Sequence, residues 1–145
     1  MDPTDPMYRS LAQLSGREAQ LADRVFDRFF LGHPEIAGLF GRESLSEREE
    51  MVRETLVCAL AHIEGEPWLI GNLEAMGASH QEYGVRDEMY VWWVDCMLAA
   101  LAEMFAADWD RAMAIAWRSV LEALCEPMRA AGRRKAAAGS AKARE

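Results

Sequence analysis

The chain has 145 residues, a formal charge of −8 and 51% apolar side chains, among them five Trp and nine Met. That length fits one domain with a core large enough to hold without disulfides, and the acidic balance argues against general binding to a phosphate backbone. No apolar run reaches the roughly 20 residues of a membrane span, and the acidic start, Met1 to Pro6, lacks the basic-then-apolar pattern of a secretory signal.

Almost every segment reads as helix, and period-two alternation is absent. A first amphipathic stretch runs from about Pro6 to Leu14. A second runs from about Ser15 to Leu31, with Leu21, Ala22, Val25, Phe26, Phe29 and Phe30 on one broad apolar face. His33-Pro34 ends it, because a residue before proline avoids helical angles. Pro34 to Phe40 makes one or two turns, and Gly41 marks a corner. Two overlapping capping boxes follow, Ser44 with Glu47 and Ser46 with Glu49. They start a helix near residue 45 or 47 whose apolar members are Leu45, Val52, Leu56, Ala59, Leu60 and Ile63. Gly65 and Pro67 close it.

The next helix, about Trp68 to Gln81, holds the most informative residue. Leu69, Leu73, Met76, His80 and Tyr83 recur at helical spacing, so a histidine interrupts an apolar stripe. A buried imidazole must find work for its ring nitrogens. Gly84-Val85 then breaks the pattern, and a long apolar helix follows from about Met89 to Phe105. Helix, inward imidazole, sharp corner and long helix form an arrangement that can hold a metal macrocycle from one side. Gly77 and Ala78 would leave room for a flat ring near that helix. The bland alternative is a core histidine satisfied by a neighbour. If His80 is a ligand, its second nitrogen should donate a hydrogen bond that fixes the tautomer, and the carbonyl of Met76 is a natural acceptor.

The last helix starts near Asp108 and carries Trp109, Met113, Trp117, Val120, Leu121, Leu124 and Met128, with Pro127 expected to kink or end it. After Arg129 the chain turns to Ala, Gly, Lys and Arg. This predicts a globular unit over residues 1–130 and a disordered tail over 131–145. Cys58, Cys96 and Cys125 are odd in number and far apart, each in an apolar segment. They read as reduced, buried thiols of a cytoplasmic protein. His33 reads as solvated at a helix end. His62 reads as a surface or boundary residue that could approach a carboxylate-bearing cofactor. No Gly-x-Ser-x-Gly, phosphate loop or Cys/His metal cluster supports hydrolase chemistry.

Phe26-Asp27-Arg28-Phe29-Phe30, then His33-Pro34-Glu35-Ile36 and Leu39-Phe40, then His80-Gln81-Glu82-Tyr83-Gly84-Val85 with Tyr90, then Ala116-Trp117 together resemble the globins. The likeness is to the bacterial single-domain and flavohaemoglobin-type branch, over about residues 8 to 130. It implies an all-α, three-over-three helical sandwich around haem b, with His80 as the proximal iron ligand and Phe40 against the haem face. Leu73, Met76, Val85 and Leu121 would complete the apolar lining.

The resemblance also implies departures. The position matched by Phe26 is usually a tyrosine that hydrogen-bonds the gas ligand, and phenylalanine cannot donate. Arg48 aligns with the polar distal position and Val52 with the apolar one a turn later, while a shift of one residue keeps Glu49 and Met51 in play. Arg48 either reaches into the pocket as a donor or stays solvated within the charged run Glu47 to Glu50. Trp93 either narrows the cavity or packs between helices. Tyr90 matches a proximal tyrosine, but Ala131-Gly132 stands where the family places a glutamate. The reading is a haem globin that reversibly binds O2, CO or NO, as a monomer or homodimer, without nucleic-acid or membrane partners. The alternatives are a nitric oxide dioxygenase or weak peroxidase served by an external reductase, and a globin-fold sensor or interaction module without haem chemistry.

Overall fold

The computed structural model describes residue 2, residues 4–40 and residues 44–143. Six α-helices account for most of them: α1 (Pro6–Leu14), α2 (Glu18–Gly32), α3 (Ser44–Glu64), α4 (Leu69–Glu82), α5 (Asp87–Phe105) and α6 (Arg111–Ala143). A 3-10 turn over Pro34–Leu39 joins α2 to the segment before α3. No strand occurs among the described residues. The corner expected at Gly41 and the side chain of Ser44, on which one capping box depends, lie outside them.

Local chemistry sets the helix ends. Asp5 caps α1 by accepting from the Met7 N–H at 2.8 Å, with Pro6 in the first turn. Asp110 accepts from the Met113 N–H at 2.8 Å at the start of α6. Gly65 ends α3 at φ +69°, its N–H donating to the His62 carbonyl at 3.1 Å. Gly84 turns the chain between α4 and α5 at φ +96°, a conformation that disfavours any side chain. A Cβ there would meet Leu39 at 3.6 Å, so this corner lies against the 3-10 turn that leads into Phe40.

The helices pack as two layers of three, α1, α3 and α4 over α2, α5 and α6. The strongest packing joins α4 to α6, followed by α2 with α5 and α5 with α6. Between the layers lies a core that includes Leu14, Leu21, Phe26, Ile36, Val52, Leu73, Met97, Leu101, Met113, Trp117 and Leu121. Trp117 is fully buried, and its indole N–H donates to Ser10 Oγ at 2.8 Å. Ser10 in turn shares its hydroxyl proton between the carbonyls of Pro6 at 2.7 Å and Met7 at 3.1 Å. A tryptophan N–H deep in apolar surroundings is thereby satisfied. By length and composition the stretch Asp87–Asp108 could cross a membrane, yet its helix packs against α2 and α6.

Three expectations need correction. The stretch after Arg129 continues as helix to Ala143, where a disordered tail was expected from 131. Alanine, lysine and arginine are strong helix formers. Ala131 is buried, and ion pairs of Arg133 with Asp87 (3.1 Å), Arg134 with Glu74 (2.9 Å) and Lys135 with Glu82 (2.9 Å) tie the stretch down. Of the two outcomes expected at Pro127, a kink or an end, the end does not occur, since helix continues on both sides of it. Tyr83 leaves the apolar stripe and is 75% exposed, because α4 stops at Glu82 and Gly84 turns the chain away.

Candidate functional site

His80 sits in the last turn of α4, half-buried, with Nδ1 at 2.6 Å from the Met76 carbonyl oxygen. A carbonyl oxygen only accepts, so Nδ1 carries the proton and donates. Nε2 is left with its lone pair. Burial lowers the pKa of His80 below its ordinary value, while the Met76 hydrogen bond pushes weakly the other way. The imidazole is therefore neutral at pH 7, the form that binds metal. Its own carbonyl accepts from the Val85 N–H at 3.0 Å, which ties the histidine turn to the corner beyond it.

Tyr90 lies on α5 with its ring centroid 6.5 Å from that of His80. Burial pushes the pKa of its phenol up to about 12, so the group stays protonated. Leu73 is buried on α4, and Met76 and Val85 pack half-buried against the core. Leu121, from α6, is buried in the same core. On the side of Tyr90 facing α6, a cavity of about 200 Å³ is lined by Val94, Arg118, Glu122, Cys125 and Arg129. Burial raises the Cys125 thiol to about 12, which makes it a poor nucleophile.

A second group of residues gathers around Phe26. Its ring lies 5.3 Å from Phe40, 5.4 Å from Trp93 and 5.6 Å from Phe30, centroid to centroid. Phe40 meets both Phe26 and Phe30 nearly edge-on. Trp93 also reaches Phe29 at 5.5 Å, so it packs between α5 and α2. Arg48, on α3, lays its guanidinium carbon 4.8 Å from the Phe30 centroid and 6.0 Å from that of Phe26. It is half-buried, with Nε closed off from solvent. Val52, one turn on, is fully buried. Glu49 and Met51 are both half-buried, and Met51 packs against the core.

Two residues stand differently from their sequence reading. Gly77 does not leave space for a ring. The space its missing Cβ would fill is taken by the main chain of Met128 on α6, 2.2 Å away. His33 is not simply solvated: it stacks on Trp92 with centroids 3.7 Å apart and planes within 4°. The end of α2 lies beside α5, and that neighbour was invisible in the local sequence. His62 is exposed on α3.

A family model described as Globin matches residues 23–128 of this sequence. The chain belongs to the globin family. The match spans the helices that carry Phe26, Arg48, His80, Tyr90 and Trp93. This globin is also similar to a solved bacterial globin from Campylobacter jejuni, with a TM-score of 0.76 over 89% of this chain and 93% of that one. At 17% identity that likeness establishes the shared all-α fold. No curated protein matches the sequence.

Membership implies a haem cofactor and haem-based gas binding. The residues fit such a group. Among the described residues no cluster of three His, Cys, Asp or Glu could hold a metal by itself. An iron held at His80 would take its remaining donors from the haem macrocycle. The imidazole is neutral, oriented by its Nδ1–H bond and bare at Nε2. The helices bearing Arg48 and His80, α3 and α4, touch each other only sparsely, although both pack on α6.

Proposed function

We propose that this globin would hold haem b through His80 Nε2 and would reversibly bind a diatomic gas, O2, CO or NO. The observation that carries the reading is the 2.6 Å bond from His80 Nδ1–H to the Met76 carbonyl, which presents Nε2 as a neutral, oriented donor. When bound, the haem supplies the iron at which the gas is held. The chain supplies orientation, exclusion of water and hydrogen bonding.

Leu73, Met76, Val85 and Leu121, all buried in or packed on the core, would supply apolar lining, and Phe40 gives an aromatic face that meets Phe26 and Phe30 edge-on. Phe26 cannot donate a hydrogen bond, so the ring cluster by itself favours an apolar ligand such as CO over the more polar O2. Arg48 changes that balance. Its guanidinium rests on Phe30 and Phe26 and brings N–H donors to the edge of the cluster, where they can serve a polar ligand. Tyr90 stays protonated beside His80, and Ala131 brings no carboxylate to strengthen electron donation through the histidine. That combination suits reversible binding better than peroxidase-like chemistry.

The test is optical. Absorption spectra of the ferric, ferrous and CO-bound protein should show haem held by one histidine. His80→Gly should lose haem retention and recover it with added imidazole. Spectra and retention that match the parent with and without imidazole would remove His80 from the site.

A further inference from the structure

Gly77 is buried on α4, three residues before His80. A Cβ at Gly77 would lie 2.2 Å from the Met128 carbonyl oxygen, 2.5 Å from Met128 Cα and 2.7 Å from its carbonyl carbon. All three are main-chain atoms in the middle of α6, so no change of rotamer can make room. One turn further along α6 the approach is looser. A Cβ at Gly132 would sit 3.5 Å from the Gly77 carbonyl oxygen and 3.7 Å from Gln81 Cβ, which is ordinary contact. At Gly77 the two helices thus meet backbone to backbone. Ion pairs flank that point on α4: Arg134 with Glu74 before it and Lys135 with Glu82 beyond it, each at 2.9 Å. Pro127, which lacks an N–H and crowds the carbonyl four residues back, directly precedes the contact on α6.

The geometry points to Gly77 as a positioning residue for His80: its missing side chain sets how deeply α4 seats on α6, and thereby where Nε2 meets iron. A helix turn is stiff, because each residue is tied to the one four before it. Any lift at Gly77 is therefore carried to the turn that holds the Met76 carbonyl and the His80 ring. The inference rests on the reading of His80 as the iron ligand. Gly77 acts only through that histidine.

The experiment compares full-length Gly77→Ala with Gly132→Ala. In the ferrous haem-loaded protein, the iron–histidine stretching band in resonance Raman should shift in Gly77→Ala and stay at the parent position in Gly132→Ala. In the apoproteins, amide exchange over Leu73 to His80 should rise about tenfold in Gly77→Ala alone, as local opening becomes easier. A Gly77→Ala protein with the parent's band and the parent's exchange overturns the proposal. If Gly77→Ala does not fold, Pro127→Ala takes its place. It removes the ring that crowds the carbonyl four residues back, one residue before the Met128 backbone on which Gly77 rests, so the band should move, and an unmoved band overturns the proposal. A parent with no iron–histidine band sinks the His80 reading instead, while apoprotein exchange still decides whether Gly77 governs the seating of α4.

Discussion

In the proposed haem pocket Phe26 would present a ring where a donor could hold a polar ligand, and Arg48 lays its guanidinium carbon over the neighbouring ring, 4.8 Å from the Phe30 centroid. Hydrogen bonds from charged donors contribute about 1.5–3 kcal/mol. Arg48→Ala should therefore speed O2 dissociation by roughly tenfold or more while changing CO dissociation little, as stopped-flow ligand replacement would show. An unchanged O2 rate would leave the aromatic cluster alone in control of the ligand. Ser10 offers a second residue-scale test, this time of stability. Its hydroxyl is the acceptor for the buried Trp117 N–H at 2.8 Å. Ser10→Ala strands that donor and should cost about 1–3 kcal/mol of unfolding free energy in urea titrations, with the spectra of the folded haem protein unchanged. His80 stands out at this scale because an imidazole in an apolar 3.6-residue pattern is an anomaly with few explanations. Gly77 does not, because a glycine announces that something comes close without saying what. Room for a flat ring and room for a helix backbone leave the same mark in the sequence.

Helix ends and helix contacts carry the next level. Asp87 opens α5, where a negative charge favours the helix N-terminus. It accepts from Arg129 at 2.8 and 3.1 Å and from Arg133 at 3.1 Å, so α5 is pinned to the far half of α6. The Arg129 hydrogen bond, aided by the charges of Arg129 and Arg133, holds the Asp87 carboxyl below its ordinary pKa of 3.8. A lowered folded pKa means that the stabilisation is present above pH 3.8 and fades as pH falls through the folded value. The carboxyl is partly exposed, so solvent screening limits the effect to about 1 kcal/mol or less. Asp87→Asn should be slightly less stable than the parent at pH 6, and that gap should close on acidification below 3.8; equilibrium unfolding across pH 3–7 would show it. A gap that persists at low pH would assign the loss to something other than charge. The stretch after Arg129 was misread at this level for a related reason. A lack of apolar residues predicts a lack of core, but α6 is held there by helix propensity and by Glu74, Glu82 and Asp87, all distant in sequence.

For the whole molecule, two layers of three helices close one core around Trp117, Phe26, Leu73 and Leu121. Its three cysteines report on that closure. Cys58 and Cys125 are buried and Cys96 is half-buried, and burial raises all three thiols, that of Cys125 to about 12. Since the thiolate is the nucleophile, the raised pKa leaves the Cys125 thiol largely unreactive at pH 8 in the folded protein. Alkylation of Cys125, followed by mass spectrometry, should proceed through opening of the fold and quicken in denaturant, with Cys96 modified first. Rapid native-state labelling of Cys125 would contradict the packing of α5 on α6.

The sequence alone determined the helical class and the order of the helices, and it singled out His80 as the residue proposed to face iron. Each depends on periodicity, caps and breakers that act within a few positions of one another. Tertiary structure decided which helices press together: that Gly77 meets the Met128 backbone, that His33 lies on Trp92, and that Arg133, Arg134 and Lys135 tie the extension of α6 to α4 and α5. Those contacts join positions dozens of residues apart. Their geometry is fixed only when every helix has found its neighbours, so no local pattern could encode it.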